Sequence, residues 1–334
     1  MRRLFLLLGF LVSVAAVAQA PANYYNSANG LTGDRLKVAL HNIIKGHTSI
    51  SYAQIWNAFW STDNKGNGVV WDMYSDRPNG TPPYTYHLGT NQCGNYSGEG
   101  DCYNREHSWA QSWFNDQTTP RTDLHHIFAT DGFVNQKRSN YPFGEVQSAT
   151  WTSQNGSKLG SCKTPGYSGT VFEPIDEYKG DFARALMYMS VRYYSEDGNW
   201  GNSDMTTKSV IKPWAINLLL RWNDQDPVSQ KEIDRNNAIY NDYQHNRNPF
   251  VDHPEYARMI WDPSWSVTEQ PEQNEPRANR VAVYDIMGRK LLQLDITNED
   301  DEILNIKEQL HQGCYIIQYI DGNRVIKNKK LLVN

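Results

Sequence analysis

Three short stretches of this 334-residue chain carry side chains suited to acting together on one bond. Cys102-Tyr103-Asn104-Arg105-Glu106-His107 supplies a base in His107 and a hard-metal ligand in Glu106. Asp123-Leu124-His125-His126 follows. Val134-Asn135-Gln136-Lys137-Arg138-Ser139-Asn140 then adds an amide oxygen in Asn135 and phosphate-binding cations. Hydrolysis of a phosphodiester with one metal ion needs that set. An imidazole that is neutral near pH 7 takes a proton from water, and oxygen ligands hold a hard divalent ion. A lone histidine in a strand is usually a packing residue. His107 stands apart because Glu106 precedes it and Asn135 follows downstream.

The elements that must position these groups can be read from the same stretches. Residues 105–109 are short, aromatic-flanked and strand-like, Leu124 to Thr130 form a second strand, and Gly132 to Ser139 a helix, which makes a ββα unit. Successive residues of a regular strand face opposite sides. Glu106 and His107 sharing one site therefore predicts a bulge or loop at that pair. On the helix, Asn135 and Arg138 are three apart and share a face. Alternation likewise places one of His125 and His126 in the cleft and the other in the core, neither as a metal ligand. Asp123 reads as a residue that orients a neighbour.

The chain opens Met1-Arg2-Arg3, continues apolar from Leu4 to Val17 and then reads Ala18-Gln19-Ala20. A charged start, a core short for a bilayer and a small-x-small site identify residues 1–20 as a signal peptide, with no stop-transfer flank for a transmembrane anchor. An exported chain with four cysteines points to disulfide chemistry. Four allow three pairings. Cys93 and Cys102 close a short loop just ahead of Glu106 and are the favoured pair, with Cys314 a buried free thiol. The absence of CxxC spacing argues against a zinc ribbon. The formal charge is −5, and about −7 once Arg2 and Arg3 leave with the leader. That balance opposes tight, purely electrostatic binding of nucleic acid but leaves room for a basic cleft. The many Trp and Tyr residues suit base stacking and core packing alike.

The spacing divides the chain into a catalytic domain over 21–265, a Glu/Gln/Pro-rich linker over 266–278 and a β-sandwich over 279–334. The fold class is α+β, with the large domain mainly helical. Helices are expected over Leu31–Gly46, over Phe182–Tyr194 after a Gly180-Asp181 start, over Lys212–Asn223 and over Ser229–Gln244. Short strands are expected near Val69–Met73, Ser108–Trp109 and His125–Ala129. In the tail, Arg280–Leu292 reads as strand, Gly turn and strand, Gly313–Ile326 as a hairpin with an Asp-Gly turn, and Lys329–Val333 as a closing strand, all β.

Asn104-Arg105-Glu106-His107-Ser108, Asp123-Leu124-His125 and Val134 to Asn140 resemble the bacterial secreted endonuclease I family. The likeness continues through Phe172-Glu173-Pro174, Lys179 to Ala185 and Asn246 to Tyr256, and covers roughly 23–262. It implies a ββα-metal (His-Me finger) core and nonspecific endonuclease activity on DNA and RNA, leaving 5′-phosphate ends. It also implies His107 as general base, one Mg²⁺ (or another divalent cation such as Mn²⁺ or Ca²⁺) on Glu106 and Asn135, and Arg138 as a phosphate or structural clamp. A phosphate-binding arginine carried by an insertion in some members has no clear counterpart here; Arg121 is its substitute. Arg184 and Arg192 read as a salt-bridged surface stripe, and Asn246 to His253 as a rigid structural or cleft-lining loop. The tail resembles the C-terminal sorting domain of type IX secretion. Together these imply a secreted or cell-surface monomer whose partners are nucleic acid and the secretion machinery. The rival readings are a surface nucleic-acid-binding or adhesive protein without turnover and a phosphodiesterase for small substrates.

Overall fold

The computed structural model describes residues 20–262, 264, 280–285, 288–295, 306, 309–321 and 324–333. The expected signal peptide, apart from Ala20, and the expected linker over 266–278 lie outside the described residues. The chain divides into two compact units, 1–265 and 266–334.

In the first unit, helix α1 (Gly33–Ile44) buries Leu36, Leu40 and Ile44, and helix α2 (Ile55–Thr62) buries Ile55, Ala58 and Phe59. Each set is spaced by three or four residues, the interval that makes one apolar stripe. Strand β1 (Tyr103–His107) pairs antiparallel with strand β2 (Ile127–Asp131), and helix α3 (Gly132–Arg138) follows directly. Asp131 starts that helix by accepting a bond from the Val134 N–H at 2.8 Å. Ser139, at φ 51, ends it. Helix α4 (Lys179–Arg192) is buried on every side, so it reads as apolar-faced in sequence but lies in the middle of the unit. Helix α5 (Pro213–Gln225) begins with proline at its first turn, and helix α6 (Gln230–Ala238) with a capping box between Ser229 and Glu232. The single helix expected over Ser229–Gln244 changes at Ile239 into a π-helical stretch, Ile239–Gln244, stopped by His245 in the left-handed region.

Several other expectations are corrected. The strand near Val69–Met73 shrinks to Val69–Val70, β1 ends before Ser108, and β2 begins only at Ile127 because Leu124–His126 forms a 3-10 turn. A three-stranded antiparallel sheet, Val146–Thr152, Lys158–Cys162 and Thr170–Glu173, was not foreseen; its first strand is largely solvated and lacks an apolar face.

Two apolar clusters hold the β1–β2 pair between them. Phe128 enters the larger cluster with Trp109, Val134 and Phe182, whereas Ile127 and Ala129 enter the other with Tyr103 and Leu124. That alternation is regular strand geometry. Cys93 and Cys102 are disulfide-bonded, which ties the preceding loop to the start of β1. Cys162 is a buried free thiol; Cys314 is also free, and half-exposed rather than buried.

In the second unit, Arg280–Asp285, Lys290–Asp295, Gly313–Asp321 and Arg324–Val333 form one antiparallel sheet, with the second strand at one edge and the fourth at the other. This four-stranded sheet is what the described residues of the tail contain of the expected β domain. Val281, Val283, Ile306, Ile317, Tyr319 and Leu331 make its core. The closing segment is the end of one long strand, and of the expected Asp321-Gly322 turn Asp321 ends a strand while Gly322 lies outside the described residues. Among the described residues no helix is long and apolar enough to cross a membrane.

Candidate active site

The site is built on the outer edge of β1. Backbone groups of Cys102 and Ser108 bond toward β2 and its flanks, with Gly132 N–H donating to Cys102 at 2.9 Å and Ser108 N–H to His126 at 3.0 Å. Alternate residues therefore aim their carbonyls the other way. Helix α3 lies along that edge. Asn135 Nδ2 donates to the Arg105 carbonyl at 3.3 Å, and Arg138 Nη1 to the His107 carbonyl at 2.8 Å. Arg138 Nη2 adds a bond to the Ser108 carbonyl at 2.6 Å. Asn135 and Arg138, one face of α3, thus complete the edge of the strand.

No bulge occurs at Glu106 and His107. The register runs without a shift from Tyr103 opposite Asp131 to His107 opposite Ile127. The two side chains leave opposite faces of β1, as a regular strand requires. They still border one open cleft of about 350 Å³, together with Arg105, Asn135 and Arg138. The expected bulge assumed a cleft on one face of the strand, whereas the cleft lies around the strand's edge and end.

Glu106 is 1 % exposed. Its Oε1 accepts from the Tyr74 hydroxyl at 3.0 Å and lies 3.3 Å from Arg138 Nη1. Oε2 has no partner among the described residues. Burial pushes this carboxyl up to about 7, against the opposing pull of Arg138 and Tyr74. Asn135 spends its amide N–H on β1 and keeps Oδ1 free of protein hydrogen bonds. The cleft therefore offers two hard oxygen ligands, one of them anionic. No group of three or more His, Cys, Asp or Glu side chains suited to a metal occurs among the described residues. This pair fits a cation that keeps most of its shell as water and substrate oxygen, the habit of magnesium, and does not fit zinc.

His107 bonds through Nε2 to the Arg121 carbonyl at 3.0 Å. A carbonyl only accepts, so Nε2 carries the proton and Nδ1 keeps its lone pair. Burial, with the neighbouring His126, Arg105 and Arg121, lowers the imidazole to about 3 despite that bond. It is neutral at pH 7. Tyr52 stacks on it at 6.1 Å.

Arg138 is also 1 % exposed, with Phe143 under its guanidinium at 4.6 Å. Its bonds to β1 make it a clamp on the strand end. Arg121 is half-buried, bonded to Gln111 at 2.8 Å, and lies with Arg105 against Tyr52. His125 and His126 are both buried, and neither reaches the cleft. Their Nε2 atoms donate to the carbonyls of Asn246 at 3.1 Å and Pro120 at 2.6 Å. Asp123, at 0 % exposure, accepts from His125 N–H, Gln244, Tyr188 and Tyr193. Arg184 is not a surface residue: it is fully buried and bidentate on Glu232. Arg192 is buried as well, bonded to His47 and Glu196. The 246–253 segment is structural, with Asn246 bonded to Ile44 and Tyr188 and Arg247 to Asp252. Tyr74 and Tyr52 are the site residues that sequence reasoning missed; no local signal marks either.

Residues 32–255 match the model of the endonuclease I family, and residues 268–334 that of a secretion system C-terminal sorting domain. An extracellular ribonuclease of Bacillus amyloliquefaciens is 42% identical over 250 residues, which are 71% of this chain and 78% of the relative. An extracellular ribonuclease of Bacillus subtilis (strain 168) is 40% identical over 268 residues, 76% of this chain and 84% of that relative. An endonuclease-1 of Buchnera aphidicola is 30% identical over 131 residues, 39% of this chain and 46% of the relative.

Proposed function

Because the chain belongs to the endonuclease I family and is a nuclease bound for secretion or the cell surface, we propose that it is a metal-dependent, sequence-nonspecific endonuclease that hydrolyses RNA and DNA to 5′-phosphate products. The observation that carries this reading is the meeting of three unspent groups in one cleft: His107 Nδ1, Glu106 Oε2 and Asn135 Oδ1.

His107 takes the proton of the attacking water on Nδ1. The Arg121 carbonyl fixes the ring and its tautomer, and Tyr52 limits its tilt. Glu106 and Asn135 would hold Mg²⁺, or another divalent cation such as Mn²⁺ or Ca²⁺. When bound, the ion supplies charge stabilisation at the phosphate and the leaving oxygen. Arg138 keeps β1 and α3 in register, so that the strand residues and Asn135 stay aligned. Arg121, beside His107, is the phosphate contact. RNA as a substrate is supported by the two relatives named extracellular ribonucleases. The protein acts as a monomer over 21–265, and the tail beyond the linker (279–334) serves type IX export and does no chemistry.

The test is His107→Ala assayed on labelled RNA and DNA with Mg²⁺. Loss of a general base costs about 100- to 10,000-fold in rate, with unchanged circular dichroism, and EDTA should stop the wild type. A folded His107→Ala variant with full activity overturns the mechanism.

A further inference from the structure

Tyr52, Trp56 and Trp60 are four residues apart, and the last two lie on one face of α2. The guanidinium of Arg105 lies 3.7 Å from the Tyr52 ring and 4.3 Å from the Trp56 ring. Arg121 lies 4.3 Å from the Tyr52 ring. Two like charges thus flank one aromatic ring, and neither is paired with a carboxylate among the described residues. In a chain of net charge −5 this is a local excess of positive charge beside His107. It calls for an anion.

The stripe then leads away from the cleft. Arg105 lines the cleft and reaches Trp56; one helical turn on, Trp60 is 50% exposed. A Cβ at Gly68 or Gly89, both at positive φ, would come within 3.5 or 3.4 Å of the Trp60 ring. The two loops press on the ring without side chains, and the rest of it stays open. Such a held, half-exposed tryptophan is a platform for a flat partner.

We propose that this face is a track for single-stranded nucleic acid, a reading that rests on the chain being a nuclease. Arg105 holds a phosphate next to the one being cut, and Trp60 stacks a base further along the strand. The open ring favours a single strand over a duplex. Tyr52 and Trp56 are already covered by Arg105, which leaves Trp60 as the free ring of the three. A base that lies flat on it must leave its stack, which an extended single strand does at little cost and a duplex does not.

The test is fluorescence anisotropy on the full chain in EDTA, with a labelled single strand and its matching duplex. Trp60→Ala should weaken single-strand binding roughly 10-fold, leave duplex binding unchanged, and lose its effect when the residue is Phe. Equal losses on both substrates, or no loss on either, overturn the track. Cleavage of the same single strand with Mg²⁺ separates the two readings. A wild type that cuts it while showing no Trp60-dependent strand preference refutes the track alone, whereas a wild type that cuts neither strand nor duplex refutes the nuclease reading beneath it.

Discussion

Asp123 and Glu106 are carboxylates of the same unit, both shut away from solvent, and they have opposite electrostatics. Asp123 collects donors on both oxygens: His125 N–H and Gln244 on one, Tyr188 and Tyr193 on the other, with His47 at 3.9 Å. Burial works to raise its pKa, but His47, His125 and His126 outweigh it and hold the group well below the ordinary carboxylate range. Glu106 has partners on one oxygen only, and burial raises it to about 7. A buried charge whose valences are all met is scaffold; one left half-met is poised for a ligand. The contrast separates the hub that fixes the chain around β2 from the edge where we propose the chemistry takes place.

Substitution is the sharpest way to break this comparison. Glu106→Gln should cut Mg²⁺-supported cleavage by about 100-fold or more, as expected when the anionic ligand of a catalytic ion is lost, while the melting temperature barely moves. Asp123→Asn should do the reverse. It strips charge from a buried network at a cost of about 3 kcal/mol, which for a unit of this size lowers the melting temperature by roughly 6–12 °C. Thermal melts and initial rates on both variants check the pair. Comparable losses of stability in the two would erase the distinction.

The hub also sets an acid limit. Burial lowers His125 and His126 to about 4, against the pull of Asp123. Their folded values lie below the ordinary imidazole value of about 6.5, so the unfolded chain binds more protons between those two pH values. Stability is fully present above about pH 6.5 and is lost as pH falls toward 4. Asp123 extends the loss: its contribution is present above the ordinary Asp value and disappears below it. Buried carboxyls such as Glu106, raised to about 7, act in the opposite sense over the same range, so the test is differential: between pH 7 and 4 His125→Gln should lose less melting temperature than the wild type. An unchanged pH slope in that variant contradicts the buried neutral imidazole. The smallest expected effect belongs to Tyr74→Phe, which removes one bond to Glu106. Loss of such an orienting bond weakens metal affinity by about 10-fold, read as the Mg²⁺ concentration for half-maximal cleavage.

What the sequence made legible was local. Strand, strand and helix are contiguous between 103 and 138, and the three-residue interval from Asn135 to Arg138 puts them on one face wherever that helix packs. The hub was not legible, because the partners of Asp123 lie 65, 70 and 121 residues away along the chain. Arg184 looked like surface for a related reason: its neutraliser, Glu232, comes from another helix 48 residues on. The expected bulge at Glu106 and His107 followed from correct strand geometry and a wrong place for the cleft. Only the docking of α3 on the outer edge of β1 lets residues from opposite faces of the strand border one cleft.

Direct measurement of metal binding reaches the central claim with no dependence on turnover. Calorimetric titration of Mn²⁺ or Mg²⁺ into the wild type, Glu106→Gln and Asp123→Asn tests whether the half-satisfied carboxylate is the ligand. One ion per chain should bind the wild type and the folded fraction of Asp123→Asn, and binding should be lost in Glu106→Gln. Retention of one ion at unchanged affinity in Glu106→Gln would contradict the account.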